Sequence, residues 1–404
     1  MLSPGAAYAF APPGSSCLGG PVAPGDGGQS PSASERVLLT PVPTGPWSTT
    51  DALRPFQPQW RVRECGRWVA WGEGEVHIRL GDSGWSFGHI HRCGSPWACP
   101  SCAHVISMER ASEVAHAVAW WRAQDATAEA DVVLLTLTVR HTFMDDLRTL
   151  RQGVSQAWRV VEQSRMWRAM REVCGVSHHI RCQEVTHGEN GWHPHLHILL
   201  FCTRPELALT WAQQLSDCWR YQVQKQLGEQ CLPSKRRACD MRACDDETYI
   251  SRMGLEVGAP GAKHAQDGHM TAMQLAAELA NASGQRKAYL GALWGEYVVA
   301  MRGAHQLQWS RGLRAALGVA ESDGQIASRP EHPERAILAE IPAETWRDMA
   351  RDQGLAPIAA LGCKMHGLPE RDQLAALKAH FEASAGCSAR WRVIGGRMRL
   401  RWLC

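Results

Sequence analysis

The order of secondary-structure signals predicts an α+β fold built on a mainly antiparallel sheet. Three observations carry that expectation. Residues 132–138 form a short, β-rich apolar run that reads as a buried strand. Residues 178–187 and 192–201 read as two strands joined by an Asn190-Gly191 hairpin turn. Helical stretches fall between these strands in the order βα–ββ–α–βα, without the strict alternation of a doubly wound parallel sheet.

The elements follow in chain order. Residues 1–55 are rich in Pro, Gly, Ser and Ala and are expected to stay disordered, because they offer too little apolar surface to bury. Residues 56–115 carry Trp60, Trp68, Trp71, Trp85 and Trp97 and then a cysteine cluster, with a helix beginning near Ser107. A helix is predicted over 145–173, which has apolar residues at helical spacing and no proline. Another covers 205–227, and a short strand near 239–243 leads into a helix from about Asp245. Residues 258–268 read as a loop, 270–283 and 286–301 as helices, and 322–334 as a linker. The domains expected are therefore 1–55, a Trp/Cys-rich unit at 56–115, a central domain at 116–320 and a C-terminal module at 321–404.

Composition narrows the class. The 404 residues allow two or three domains, and 45% hydrophobic residues suffice for a sizeable core. No stretch approaches the ~20 apolar residues of a membrane span. The opening MLSPGAAYAF has neither the basic start nor the apolar run of a secretory signal. A reduced, cytoplasmic location is expected, where the 15 cysteines serve as metal ligands more readily than as a disulfide scaffold. A net charge of only +3 means that any polyanion site must concentrate its basic residues locally.

The segment His193-Pro194-His195-Leu196-His197 is the most informative. Alternate strand residues share a face, so the three imidazoles point one way and Leu196 and Ile198 the other. Two histidines two residues apart on a strand can reach one metal ion. The hairpin offers a carboxylate. A two-residue Asn190-Gly191 turn sets Glu184 opposite His197, and a four-residue turn sets it opposite His195; either register keeps Glu184 on the histidine face and Gln183 off it. Two histidines and a carboxylate with open positions suit Mg²⁺ or Mn²⁺ in a Lewis-acid role.

Three further groups stand out. Cys93-x5-Cys99-x2-Cys102 supplies three thiolates for a structural Zn²⁺, which wants four ligands. Cys65, His89, His91 and His104 are candidates for the fourth, with Cys65 favoured. Cys231, Cys239 and Cys244 are spaced too loosely to read as a site. Tyr249 falls in the first turns of the helix opened by Asp245, Asp246 and Glu247, with Arg252 three residues on. Near the C-terminus, residues 390–402 read as a hairpin turning at Gly395-Gly396. That register pairs Ile394 with Arg397, Arg392 with Arg399 and Arg390 with Arg401. Arg390, Arg392, Arg397, Arg399 and Arg401 then share a face suited to phosphate backbone.

These segments, in this order, resemble the rolling-circle replication initiators (Rep proteins) of the HUH endonuclease superfamily. Leu134-Leu135-Thr136-Leu137-Thr138-Val139-Arg140-His141 is similar to the family's first motif. Gly191-Trp192-His193-Pro194-His195-Leu196-His197 is similar to its metal motif, and Tyr249-Ile250-Ser251-Arg252-Met253 to the tyrosine motif of the one-tyrosine branch. Cys93 to Cys102, and Leu293-Trp294-Gly295-Glu296-Tyr297 continuing to Arg314, are similar to flanking segments, so the resemblance covers about 60–318.

The resemblance implies a five-stranded antiparallel sheet flanked by helices and nicking of one strand at an origin through a 5′-phosphotyrosine on Tyr249. It also implies work alongside a host helicase and replication polymerase. A carboxylate a turn before the tyrosine, here Asp245, with Glu247 and Glu256 behind it, would activate water to end a round. Arg252 stands where the family usually has lysine, and is bulkier while keeping its charge. Two other classes are compatible with parts of the sequence. A histidine-triad nucleotide hydrolase or transferase would use His195 as nucleophile without metal. A non-catalytic, zinc-dependent DNA-binding regulator would leave the histidines and Tyr249 idle.

Overall fold

The computed structural model describes residues 46–70, 74–81, 84–124, 131–243, 269–319, 322–328, 337–352, 354–365, 367–385, 389–394 and 397–402; for the last two segments the backbone alone is described. The strands in chain order are β1 (Glu75–Gly81), β2 (Gly84–Gly88), β3 (Asp131–Leu137), β4 (Val176–Gly188), β5 (Gly191–Cys202), β6 (Cys239–Ala243), β7 (Met270–Thr271), β8 (Leu307–Trp309), β9 (Ile337–Pro342), β10 (Ala389–Ile394) and β11 (Arg397–Trp402). The chain divides into two compact units. The larger takes Pro46–Gly66 and His91–Arg329, and the other includes Arg67–Ile90 and the chain after 330. Segment 56–115 therefore contributes to both.

The larger unit is a mixed helix-and-sheet body whose sheet has the order β6-β3-β5-β4-β7, with β8 also on β4, and every pairing is antiparallel. Six strands are described where five were expected. The reason lies in β4, whose 13 residues extend for about 43 Å. That edge is long enough for two short strands, β8 at Ile180–Cys182 and β7 at Thr186–His187.

Side-chain parity explains the layers. Val133, Leu135, Leu137, Leu196, Ile198 and Leu200 are buried on one face, under Leu150, Val154, Trp158, Trp219 and Val223 from the helices Leu147–Gln163 and Ala212–Leu227. Trp219 is fully buried, and its indole N–H donates to the Thr138 carbonyl at 2.7 Å, so its one polar atom is satisfied. On the opposite face Val132, Leu134, Leu199 and Phe201 pack against Val114, Val118 and Trp121 of the helix Pro100–Ala123. This helix covers one end of that face. At the other end the same parity of β5 brings up His197, His195 and His193.

Several boundaries differ from the sequence expectation, each for a local reason. The helix expected over 145–173 is two helices, Leu147–Gln163 and Arg165–Cys174. Ser164 between them is extended (φ −71°, ψ 158°) and its hydroxyl accepts the Trp167 amide at 3.1 Å, capping the second helix. The 205–227 helix is likewise interrupted at Trp211. The helix expected from Ser107 starts at Pro100, which needs no amide partner in the first turn. Pro46–Leu53, placed by composition in the disordered segment, is helical with Trp47 and Leu53 buried. Asp323–Ser328, expected within a linker, is a short helix that buries Ile326 and Ala327 and sets Asp323 2.8 Å from buried Arg110. The loop expected at 258–268 lies outside the described residues.

In the smaller unit β2-β1-β9 form an antiparallel sheet. Val76, Ile78 and Ile341 are buried, and Phe87 meets Trp346 of the helix Ala343–Asp352 with ring centroids 5.4 Å apart. Arg347 and Arg351 lie over the Trp68 ring at 5.9 and 5.0 Å. The hairpin β10-β11 has backbone register Arg390↔Arg401, Arg392↔Arg399 and Ile394↔Arg397.

Candidate active site and metal centres

Three strands build the first centre. β3, β5 and β4 run side by side, with Thr136 across from His197 and His195 across from Glu184. The hairpin closes through Gly188↔Gly191, with Glu189 and Asn190 at the turn, one residue earlier than the Asn190-Gly191 turn expected. Gly191 takes φ +84°, and a Cβ there would lie 2.8 Å from the Phe143 Cα, so this position needs glycine twice over. Of the two registers compatible with the sequence, the one opposing Glu184 to His195 is present.

The geometry converges on one point. The Nε2 atoms of His195 and His197 each lie 2.9 Å from Oε2 of Glu184. These three ligand atoms all fall within 4.8 Å of one another, and the residues are buried, Glu184 and His197 being only 5% and 7% exposed. The Nδ1 atoms are taken as well. His197 Nδ1 is 3.1 Å from Thr136 Oγ1, and His195 Nδ1 is 3.3 Å from the His193 carbonyl. A carbonyl only accepts, so this bond places a proton on Nδ1 of His195 and leaves the Nε2 lone pair for an ion. A set of two imidazoles and one carboxylate, oriented from behind, fits a divalent metal ion.

The surroundings are rich in imidazole. His193 stands 5.1 Å from His195 and 4.7 Å from His141, ring centre to ring centre. Burial, and after it the neighbouring His195 and His141, push His193 down to about 3, so it is neutral at physiological pH. Burial also lowers His141, against the opposing effect of its hydrogen bond to the Asn190 carbonyl at 2.9 Å. Thr136 and the His141–His193 contact were not singled out from the sequence. Strand parity could have found Thr136, because it shares the histidine face of the neighbouring strand. No local signal announces the His141 contact.

The second centre is the cysteine cluster. Cys65, Cys93, Cys99 and Cys102 are all buried free thiols whose sulfurs lie within 4.8 Å of one another. Cys102 Sγ is 3.5 Å from Cys65 Sγ and 3.6 Å from Cys93 Sγ. Of the proposed fourth ligands, Cys65 is the one brought to the cluster. Hydrogen bonding from Cys65, then Cys93 and Cys99, holds the Cys102 thiol well below its ordinary range, and Arg92 adds to this. The same bonds to Cys102 push Cys93 and Cys99 up. Cys102 also lies in the first turn of the helix Pro100–Ala123, where the dipole favours a thiolate. Four thiolates in a closed, buried set fit a structural metal such as Zn²⁺.

The remaining sequence candidates are placed less fully. Tyr249, Asp245 and Arg252, with Glu247 and Glu256, lie outside the described residues. Arg390, Arg392, Arg397, Arg399 and Arg401 lie in β10 and β11, described as backbone. Tyr297 is buried against Trp192 at 5.7 Å, and burial, with Glu184 nearby, pushes its hydroxyl well above its ordinary value.

Two outcomes follow from these centres. Glu184→Ala should weaken Mn²⁺ binding at least tenfold, and Thr136→Val by about ten- to a hundredfold, measured by calorimetry on protein with its cysteine centre loaded; unchanged affinity in Glu184→Ala removes that ligand. Cys99→Ser and Cys102→Ser should each lower the metal content of purified protein and cost more than about 4 kcal/mol of stability. Wild-type protein that melts at the same temperature with and without bound zinc would exclude a structural role for the cluster.

Comparison with known proteins agrees with this picture. Residues 88–208, which include the helix Pro100–Ala123 and the whole β4–β5 hairpin, match a family described as replication protein. A protein from Streptomyces lividans named Protein rep is 25% identical over 302 residues, covering 58% of this chain and 65% of its own length. The chain thus spans just under two thirds of that curated relative. No solved structure matches. Over these stretches the chain is similar to the replication-protein family and to that curated Rep protein.

Proposed function

We propose that this protein initiates replication by nicking one strand at an origin, with Tyr249 as the nucleophile. The observation that carries this reading is the convergence of Glu184, His195 and His197 inside the segment that matches the replication-protein family. A divalent ion held by these three residues, Mg²⁺ or Mn²⁺, would polarise the scissile phosphate. The Tyr249 oxygen attacks phosphorus, the bond to the 3′-oxygen breaks, and that oxygen leaves as the free 3′-hydroxyl after taking a proton. The protein then carries the 5′-phosphate, and the 3′-hydroxyl primes synthesis by a host polymerase behind a host helicase. Arg252 would neutralise phosphate charge near the tyrosine, and Asp245 would activate water to end a round.

Comparison with the three described tyrosines supports Tyr249. Tyr297 is buried with a raised pKa, a poor nucleophile. Tyr221 lies on the helix Ala212–Leu227, which covers the sheet face opposite the histidines. Tyr289 is half-exposed with the Arg286 guanidinium 5.7 Å from its ring centre, and is the next candidate. Connectivity also favours Tyr249, because the segment that carries it links β6 at one edge of the sheet to β7 at the other, beside Thr186. The histidine-triad reading fares worse. It needs an unencumbered nucleophilic nitrogen on His195, whereas Nε2 faces Glu184 and Nδ1 faces a carbonyl. A cytoplasmic site of action fits this role, and no described helix is long and apolar enough to cross a membrane.

The deciding experiment uses a supercoiled plasmid carrying the gene's own flanking DNA with Mn²⁺. Wild-type protein should relax it and become covalently attached to a 5′ end, and chelation should stop both. Tyr249→Phe should abolish the adduct, by at least a thousandfold, with DNA binding within twofold of wild type. An adduct that survives this substitution would transfer the nucleophile to Tyr289.

The C-terminal hairpin adds a binding role. Its register sets Arg392 opposite Arg399 and Arg390 opposite Arg401, a cost that bound phosphate backbone would relieve. Arg392→Ala with Arg399→Ala should reduce the magnitude of the slope of log K against log salt by about 1.8 on duplex DNA. A slope equal to that of wild type assigns these arginines to solvent instead.

A further inference from the structure

Large apolar side chains in this protein are mostly sequestered. Phe143 and Met144 depart from that pattern. They are 76% and 78% exposed, the most exposed large hydrophobic residues among those described, and they are adjacent. Leaving both in water forgoes the stabilisation that burying such side chains brings.

Their exposure is imposed by a fixed loop. Asp145 accepts both the amide and the hydroxyl of Thr142, at 2.7 and 2.9 Å, and the Asp145 amide donates back to the Thr142 carbonyl at 3.1 Å. The next residue, Asp146, caps the helix Leu147–Gln163 by accepting from Thr149 at 2.8 Å. On the other side His141 is bonded to the Asn190 carbonyl, and the Phe143 backbone rests on Gly191. The pair is thus presented to solvent by a loop braced on the β4–β5 turn.

The loop is joined to the candidate active site. A row of rings leads from His195 to His193 at 5.1 Å and on to His141 at 4.7 Å. Phe143 is two residues beyond His141, within about 7 Å of chain. Arg140, exposed on the other side of His141, adds a positive charge.

We propose that Phe143 and Met144 form a stacking platform for a base of the single strand presented to the Glu184–His195–His197 centre. An exposed aromatic ring beside a cationic residue and a phosphate-activating centre matches how single strands are held, with bases stacked on side chains and the backbone on positive charge. Methionine beside phenylalanine suits the same role, as both serve as apolar wedges at base steps. The proposal rests on the nickase reading for the purpose of the centre, while stacking itself is measured without cleavage.

The test uses the full-length protein and the double variant Phe143→Ala, Met144→Ala, with Phe143→Trp as the conservative change. Binding to end-labelled (dT)20 and to a 20-base-pair duplex is followed by fluorescence anisotropy over a range of salt. The double variant should lose about tenfold or more in affinity for the single strand and less than twofold for the duplex. Its log K against log salt slope should equal that of wild type, because no phosphate contact is removed. Phe143→Trp should retain the affinity, and all forms should melt at the same temperature. A loss below twofold on (dT)20, an equal loss on both substrates, or a changed salt slope overturns the platform. Stacking behaviour as expected in a wild-type protein that forms no adduct leaves the platform standing and removes the nickase reading.

Discussion

The antiparallel register of β4 on β5 is the constraint on which the rest of the structure depends. It sets Glu184 across from His195 and Cys182 across from His197. Because side chains alternate, a slip of one residue would send Glu184 to the other face and bring up Gln183 or Val185. The slip is resisted by burial on both faces. Leu196, Ile198 and Leu200 are sealed beneath two helices, and Leu199 and Phe201 beneath a third. The same interactions that make the sheet stable therefore hold three ligand atoms in place. A carboxylate buried between two imidazole lone pairs is costly unless paired, and an ion shared by the three residues would supply that pairing.

The cysteine centre acts on the same body from the other end. Its sulfurs belong to a core that also contains Leu147, Val185, Trp192, Leu275, Trp294 and Tyr297. Trp192 is the partner of His187 in the β4–β5 hairpin, and Leu147 opens the helix that follows the Phe143 loop. Cys65 and Cys93 also flank the interval Arg67–Ile90, which folds with the smaller unit. The cluster thus closes the larger unit across that interval. Without it, Pro46–Gly66 would be held to the chain after His91 by apolar packing and a few hydrogen bonds, among them Gly66 to His91 and Gln57 to Ala98.

How much of this was legible in the sequence depends on the range of the interaction. Short periods were readable. The strand 239–243, the hairpin partners and the histidine face follow from alternation, and Glu184 followed from register with one ambiguity of turn length. That ambiguity was settled by Gly188 and Gly191, which let the chain turn one residue earlier than Asn190-Gly191 suggests. Caps were the weak point. Ser164 lies in an unbroken helical pattern, and only its own hydrogen bond to Trp167 shows that the helix restarts there. Long-range facts were not legible at all. The short strand β8 on β4 and the His141 contact link positions separated by tens of residues or more, and no local pattern records them; Cys65 was favoured as the fourth thiolate from the need for a fourth ligand, not from any local pattern.

Two centres in one core raise the question of why they would not compete for the same ion. Ligand chemistry answers it. Four thiolates form a soft set that prefers Zn²⁺ and resists Mg²⁺ at any cellular concentration. Two imidazoles and a carboxylate form a harder, incomplete set that leaves coordination positions for water and phosphate oxygen. Affinity alone would let Zn²⁺ take both, since it outranks Mn²⁺ for nitrogen ligands. Geometry separates the roles instead. The cysteine set is closed, with each sulfur buried and the four gathered together. The histidine set has three candidate ligands and so would leave coordination positions open. An ion at the first centre would stabilise the fold independently of any substrate. An ion at the second would complete its coordination with water, or with a phosphate oxygen where one is bound, and on the proposed reading that exchange would couple metal affinity to DNA binding in both directions.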